Sequence, residues 1–119
     1  MEAGLLYRYG KPVAGHEREA IALFAEVLEF WMEKRERGEI TFFEPFIVET
    51  SDFDEDAGFW VIKGPEEKIA AFRHEDRYQK ILMKASIFLA HLTVATLRVG
   101  DAVNEQVDLL GKVYAEVGV

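Results

Sequence analysis

Apolar residues along this chain switch between two spacings, alternate positions and every third or fourth position, and each switch marks an element. Leu5-Leu6-Tyr7-Arg8-Tyr9 alternates and predicts a short strand over residues 5–9, stopped by Gly10 and Pro12. Leu5, Tyr7 and Tyr9 share one face of it, Leu6 and Arg8 the other. Ala20, Phe24, Val27, Leu28 and Trp31 then recur at helical steps, widened by Leu23 and Phe30. They predict a long helix over about 16–37. Glu17 and Glu19 fall in its first turn and Lys34, Arg35 and Arg37 in its last, complementing the helix dipole, and Gly38 supplies a left-handed stop.

The next run, ITFFEPFIVE over residues 40–49, is rich in aromatic and β-branched residues and reads as a strand. Pro45 cannot donate a ladder hydrogen bond, which places this strand at an edge or on a bulge. Ile40, Phe42, Glu44, Phe46 and Val48 share one face; Phe43 and Ile47 share the other. An acidic turn over 51–58 joins it to a second strand, FWVIK at 59–63, in a hairpin. A register pairing Phe46 with Val61 sets Glu44 opposite Lys63 as a cross-strand ion pair. Gly64-Pro65 starts a helix with Glu66 and Glu67 in its first turn and Ile69 and Phe72 facing inward. Arg73-His74-Glu75 forms a joint. Tyr78, Ile81, Leu82, Ala85, Phe88 and Leu89 resume helical spacing to about residue 89. LTVATLRV over 92–99 reads as a strand. Asp101 is an N-cap candidate for a last helix carrying Val103, Val107, Leu110 and Tyr114. The order is that of an α+β, ferredoxin-like βαββαβ chain with an extra C-terminal helix, its helices covering one face of a four-stranded antiparallel sheet.

A length of 119 residues suits a single domain over 1–119, with one core and little interior for a large cofactor. The net charge is −8, and no cluster of five basic residues occurs, which argues against nucleic acid and anionic membrane surfaces as partners. There is no cysteine, hence no disulfide or thiolate chemistry. The start, MEAGLLYRYG, lacks a signal-peptide pattern, and no apolar run reaches the ~18 residues of a membrane span, so a cytoplasmic protein is expected. The 40–49 strand is apolar on both faces, and helices cover only one. The exposed remainder would be an aromatic patch, so a homodimer that closes two such faces together is expected.

Several features together resemble the dimeric α+β barrel superfamily. They are a first strand ending in Arg8-Tyr9-Gly10, Gly15-x-Glu17 leading into a long helix, an aromatic second strand, Gly58-Phe59 leaving the hairpin, and Phe72 six residues before Tyr78. The resemblance is spread over most of the chain and points to small uncharacterised bacterial members. It implies two sheets paired face to face across a dimer. The superfamily holds antibiotic-biosynthesis monooxygenases, haem-degrading enzymes, lactone isomerases, stress-induced proteins and proteins of unknown role. Some haem-degrading members use an Asn on the first strand, a Trp on the third and a His on the second helix. Here Trp60 and His74 fit loosely, but the first strand offers Tyr7, Arg8 and Tyr9, and the only Asn is Asn104 in the last helix.

Chemistry-bearing residues are sparse. Asp52-x-Asp54-x-Asp56 has the spacing of a calcium loop, but Ala57 and Lys63 stand where such a loop needs Gly and Glu, so no metal site is expected. His16, His74 and His91 are the whole histidine supply, and no two share a helical face. His16, at a helix start, is expected to be exposed. His91, at a helix-to-strand junction, suits a ring satisfied by the backbone. His74 sits among Arg73, Glu75, Asp76 and Arg77, as a solvated joint would. No phosphate loop, nucleophile elbow or cofactor motif is present, and no cofactor is expected. Aromatic excess on the strands is core or dimer packing, or else the lining of a pocket. Two functional readings follow, beside a third, a purely structural stress protein, for which a fully packed sheet face would speak. The first is an uncharacterised barrel protein that binds a small apolar or aromatic ligand in a cavity on the sheet face, through Tyr7, Phe42 and Trp60. The alternative is a cofactor-independent monooxygenase or related enzyme that uses the same cavity, with His74, His91 or Glu44 as proton carrier.

Overall fold

Each change of spacing becomes an element in the computed structural model, which describes residues 1–49 and 55–118. The elements are β1 (Glu2–Tyr9), α1 (Glu17–Glu36), β2 (Phe42–Ile47), β3 (Gly58–Pro65), α2 (Glu66–Phe72), α3 (Asp76–Phe88), β4 (Thr93–Arg98) and α4 (Asp101–Val117). The strands form one antiparallel sheet in the order β2-β3-β1-β4, the ferredoxin-like arrangement, with the Pro45 strand at an edge. No described helix is long and apolar enough to cross a membrane.

Strand alternation divides the sheet into two unlike faces. Leu5, Tyr7, Trp60 and Ile62 point to the helix side and are buried against Leu23, Phe30, Trp31, Ile69, Phe72, Tyr78, Ile81 and Ala85. The register puts Leu6 and Arg8 of β1, Phe42, Glu44 and Phe46 of β2, Phe59, Val61 and Lys63 of β3, and Ala95 and Leu97 of β4 on the opposite face. No described helix packs extensively on that face.

The α2–α3 joint turns on a buried lysine. Lys34 of α1 is 2% exposed. Its Nζ donates to both carboxylate oxygens of Glu75, at 2.9 and 2.7 Å, and lies 3.2 Å from Glu39. Its ammonium stands 5.3 Å from the Phe30 ring centre and 5.5 Å from that of Phe72. Glu75 occupies the N-cap position of α3 but makes no side-chain cap bond. Its carboxylate goes to Lys34 instead. His74 is exposed beside it, so the joint is a charged hinge point in which glutamate, not histidine, is tied to the core. The variant His74→Ala should therefore shift unfolding free energy by less than about 0.5 kcal/mol in a urea titration.

Four local expectations are corrected. The hairpin register lies two residues away from the expected one: Phe46 faces Phe59, Glu44 faces Val61 and Phe42 faces Lys63. A two-residue shift keeps every side chain on its face. It stacks Phe46 on Phe59 at 4.7 Å and sets Lys63 over Phe42 at 4.9 Å, so Glu44 has no lysine opposite it. Ile40 does not share the face of Phe42 but is 1% exposed in the helix-side core. It precedes the regular strand and packs on Gly64, where a Cβ would come within 2.8 Å of its Cα. His16 is half-buried rather than exposed, its ring 5.4 Å from that of Phe88. The N-cap of α4 is Gly100, not Asp101. Gly100 adopts φ 57°, a left-handed value open to glycine, and turns the chain away from the sheet.

As a result α4 packs extensively on no other described element. Ala102 is its only buried residue, while Val103, Val107, Leu110, Val113, Tyr114 and Val117 are exposed. The radius of gyration, 16.8 Å, exceeds the roughly 13.5 Å of a compact chain this long.

Candidate functional site

Packing of α1 and α3 over the helix-side face leaves a cavity of about 410 Å³. The two helices approach it with short side chains, Ala20 and Ala85, and the rings around it are too bulky to close the gap. β1 contributes Tyr7 and Tyr9 and β3 contributes Trp60. α1 contributes Leu23, Phe24, Val27 and Trp31, and α3 contributes Tyr78, Ile81 and Leu82. Phe24 lies against Trp60 with ring centres 5.2 Å apart, and Tyr7 against Trp31 at 5.8 Å. Exposed Ile21 and Ile47 are also part of the wall, where it opens to the surface. The β1–α1 loop is tied to the end of α3 by Gly10 N–H to Ala90 O (2.6 Å) and Val13 N–H to Phe88 O (2.8 Å). These bonds hold Gly10 and Pro12 in the wall.

Among the described residues no charged side chain lines this cavity. Its polar side-chain atoms are few. The hydroxyls of Tyr7 and Tyr78 share a buried hydrogen bond of 2.8 Å. Burial, reinforced by the neighbouring Tyr78, pushes the Tyr7 hydroxyl far above the usual phenol range, so it stays protonated. Burial also raises the half-buried Tyr9. Trp31 is 3% exposed, and its Nε1–H has no hydrogen-bond partner among the described residues. Chemically the cavity presents an apolar, ring-rich wall suited to an uncharged ring system.

The ligand residues expected from the sequence are split. Tyr7 and Trp60 line the cavity, whereas Phe42 lies on the opposite sheet face, because alternation separates it from Trp60. The cavity accordingly lies between sheet and helices and not on the open face. None of the three proton-carrier candidates lines it. Glu44 is exposed on the open face, and His74 is exposed at the helix joint. His91 is exposed at the α3–β4 turn with φ 54°. It borders a separate polar hollow of about 170 Å³ with Arg8, Glu55 and Thr93. There Arg8 pairs with Asp56 at 2.8 Å. Asp52 and Asp54 of the calcium-like spacing lie outside the described residues. Among the described residues no group of three or more acidic or histidine side chains is arranged to hold a metal ion. Trp31, Phe24 and Tyr78 are among the lining residues that the sequence presented only as core stripe. Trp31 and Tyr78 carried a signal, a polar-tipped ring on the inward stripe of each helix; Phe24 carried none.

No protein-family model matches the chain, and no curated protein is similar to it in sequence. Solved structures do resemble it. A dimeric ferredoxin-like protein of unknown function from Thermobifida fusca superimposes with a TM-score of 0.64 at 8% identity, over 83% of this chain and 92% of that one. An ethyl tert-butyl ether d (EthD) family protein from Bacillus halodurans gives 0.59 at 12%, over 84% and 100%. A candidate antibiotic biosynthesis monooxygenase from Deinococcus radiodurans gives 0.56 at 9%, over 84% and 93%. The likeness is one of fold: the chain has the ferredoxin-like α+β fold.

Proposed function

We propose that the protein is a homodimer that binds small apolar or aromatic molecules between its sheet and its helices. The observation that carries this reading is the 410 Å³ cavity with uncharged, ring-rich walls. Its size is at the lower end for ligand sites and suits a molecule of two or three fused rings. The chain has two tryptophans, Trp31 and Trp60, and both line the cavity, so intrinsic fluorescence reports occupancy. Titration with tetralin, a two-ring hydrocarbon, should change that fluorescence saturably. The variant Ala85→Phe places a ring in the cavity from α3. It should melt no lower than the native protein and lose the response; an unaltered response would place the ligand elsewhere.

The homodimer is supported by the uncovered sheet face with Leu6, Phe46, Phe59, Val61 and Leu97, and by the unpacked apolar stripe of α4. Similar folds from Thermobifida fusca and Bacteroides fragilis are described as dimeric. The monooxygenase alternative draws on the Deinococcus neighbour. Its proposed proton carriers, His74, His91 and Glu44, all lie outside the cavity wall, and the geometry favours binding over that chemistry.

A further inference from the structure

Four charged side chains of the strands stand on the open sheet face: Glu2 and Arg8 of β1, Glu44 of β2 and Lys63 of β3. Two of them are satisfied within the chain. Arg8 donates to Asp56 at 2.8 Å, and Glu2, at a corner of the face, accepts from the Thr41 hydroxyl at 3.2 Å. The other two are not. Among the described residues Glu44 makes no ion pair, and Lys63 meets no carboxylate but stands over the Phe42 ring at 4.9 Å. These two are opposite in charge and lie on neighbouring strands, out of step, because Phe42 faces Lys63 while Glu44 faces Val61. Phe42, Phe46, Phe59 and Val61 surround them with apolar surface. Whatever covers that surface removes water from both charges, and a charge buried without a partner is strongly disfavoured. The cover must therefore bring a cation to Glu44 and an anion to Lys63.

A second copy of this chain brings both. In a two-fold interface every contact is made twice, with the roles of the two subunits exchanged. An axis lying in the interface, between the two positions, carries each of them onto the other. We infer that two copies recognise each other through a reciprocal ion pair, Glu44 of each protomer with Lys63 of the partner subunit. A purely apolar partner would leave both charges buried and unpaired. With a net charge of −8 two copies repel at long range, and the paired contacts oppose that repulsion where the faces meet. This inference rests on the homodimer reading above and adds the contact that sets how the two faces meet.

Charge reversal tests it. In Glu44→Lys the contact becomes lysine against lysine, and in Lys63→Glu it becomes carboxylate against carboxylate. Two pairs per dimer, each worth about tenfold in affinity, predict that either variant alone dimerises roughly 100-fold more weakly in sedimentation equilibrium. Circular dichroism checks that each variant keeps its fold. An equimolar mixture of the two variants restores both opposite-charge contacts between subunits, while each chain still carries like charges at the two positions of its own face. Native mass spectrometry of the mixture should therefore show the heterodimer in excess over both homodimers, with an affinity close to that of the native dimer. A pair made within each chain would leave the mixture as weak as the separate variants. A mixture that stays monomeric would overturn the inference, and so would either variant dimerising like the native protein; both results leave the homodimer reading intact. A native protein that is monomeric under the same conditions would remove that reading and this inference with it.

Discussion

Replacing Lys34 by alanine is expected to lower unfolding free energy by about 2–3 kcal/mol, and replacing it by methionine to recover most of that loss. Lys34 is buried, and its ammonium holds Glu75 by two bonds and Glu39 by a third contact. Removing one partner of a buried pair costs about 3–5 kcal/mol when the other charge stays buried. Glu75 is 42% exposed, so water recovers part of its solvation and the cost falls below that range. The alanine change also strips the alkyl stem from between Phe30 and Phe72. Methionine restores that stem without the charge and should come within about 1 kcal/mol of the native protein. Urea denaturation of the three proteins gives the comparison. Equal losses in both variants would mean that the ion pair, not the packed stem, sustains the joint. The loss should appear as well in the melting temperature, lower by roughly 10 °C in the alanine variant.

Introducing a carboxylate into the middle of the open sheet face is expected to turn a dimer into a monomer. Val61 lies there on β3, opposite Glu44 and between Phe59 and Lys63 along the strand. In Val61→Glu the new charge faces Glu44 and would have to be buried against a second sheet, a cost of several kcal/mol that no nearby cation offsets fully. Sedimentation should show the native protein at twice 13.6 kDa and the variant at 13.6 kDa at micromolar concentration. Ending the chain after Gly100 removes the exposed stripe of α4. It should weaken the dimer by roughly 100-fold if about 3 kcal/mol of apolar burial comes from that helix. A native protein that sediments as a monomer would contradict the face-to-face arrangement outright.

The fold was legible because its determinants are local. The 20–31 stripe, the Pro45 edge strand and the Gly64-Pro65 break each name an element from a few neighbouring residues, and these elements in this order leave few topologies. Positions fixed by contacts distant in sequence were not legible. Lys34 read as a last-turn cation suited to the helix dipole, because nothing near it in sequence announces Glu75, 41 residues away. The hairpin register depended on a loop whose length is compatible with several pairings, and aromatic stacking decided among them. Ile40 followed the alternation of its strand on paper and left it in space because Gly64 admits it to the core.

The site divided along the same line. Tyr7 and Trp60 were recognisable because both are strand aromatics on neighbouring strands, and they are in fact direct partners across β1 and β3. Phe42 was set beside them for its ring alone, although its position in the alternation turns it to the other face. Trp31 and Tyr78 belonged to helical stripes that any core requires, and only the tertiary approach of α1 to α3 shows that Ala20 and Ala85 leave space between them. Histidine suits proton transfer by its titration range, yet the buried polar side chains beside the cavity are those of tyrosine and tryptophan.

The binding claim is tested most directly by a crystal structure of the full chain grown with tetralin at saturating concentration. Ligand density enclosed by Tyr7, Trp31, Trp60 and Tyr78 on the helix side of the sheet is the predicted result. Density confined to the open face beside Phe42 and Phe59, or a cavity filled by the protein's own side chains, would contradict it.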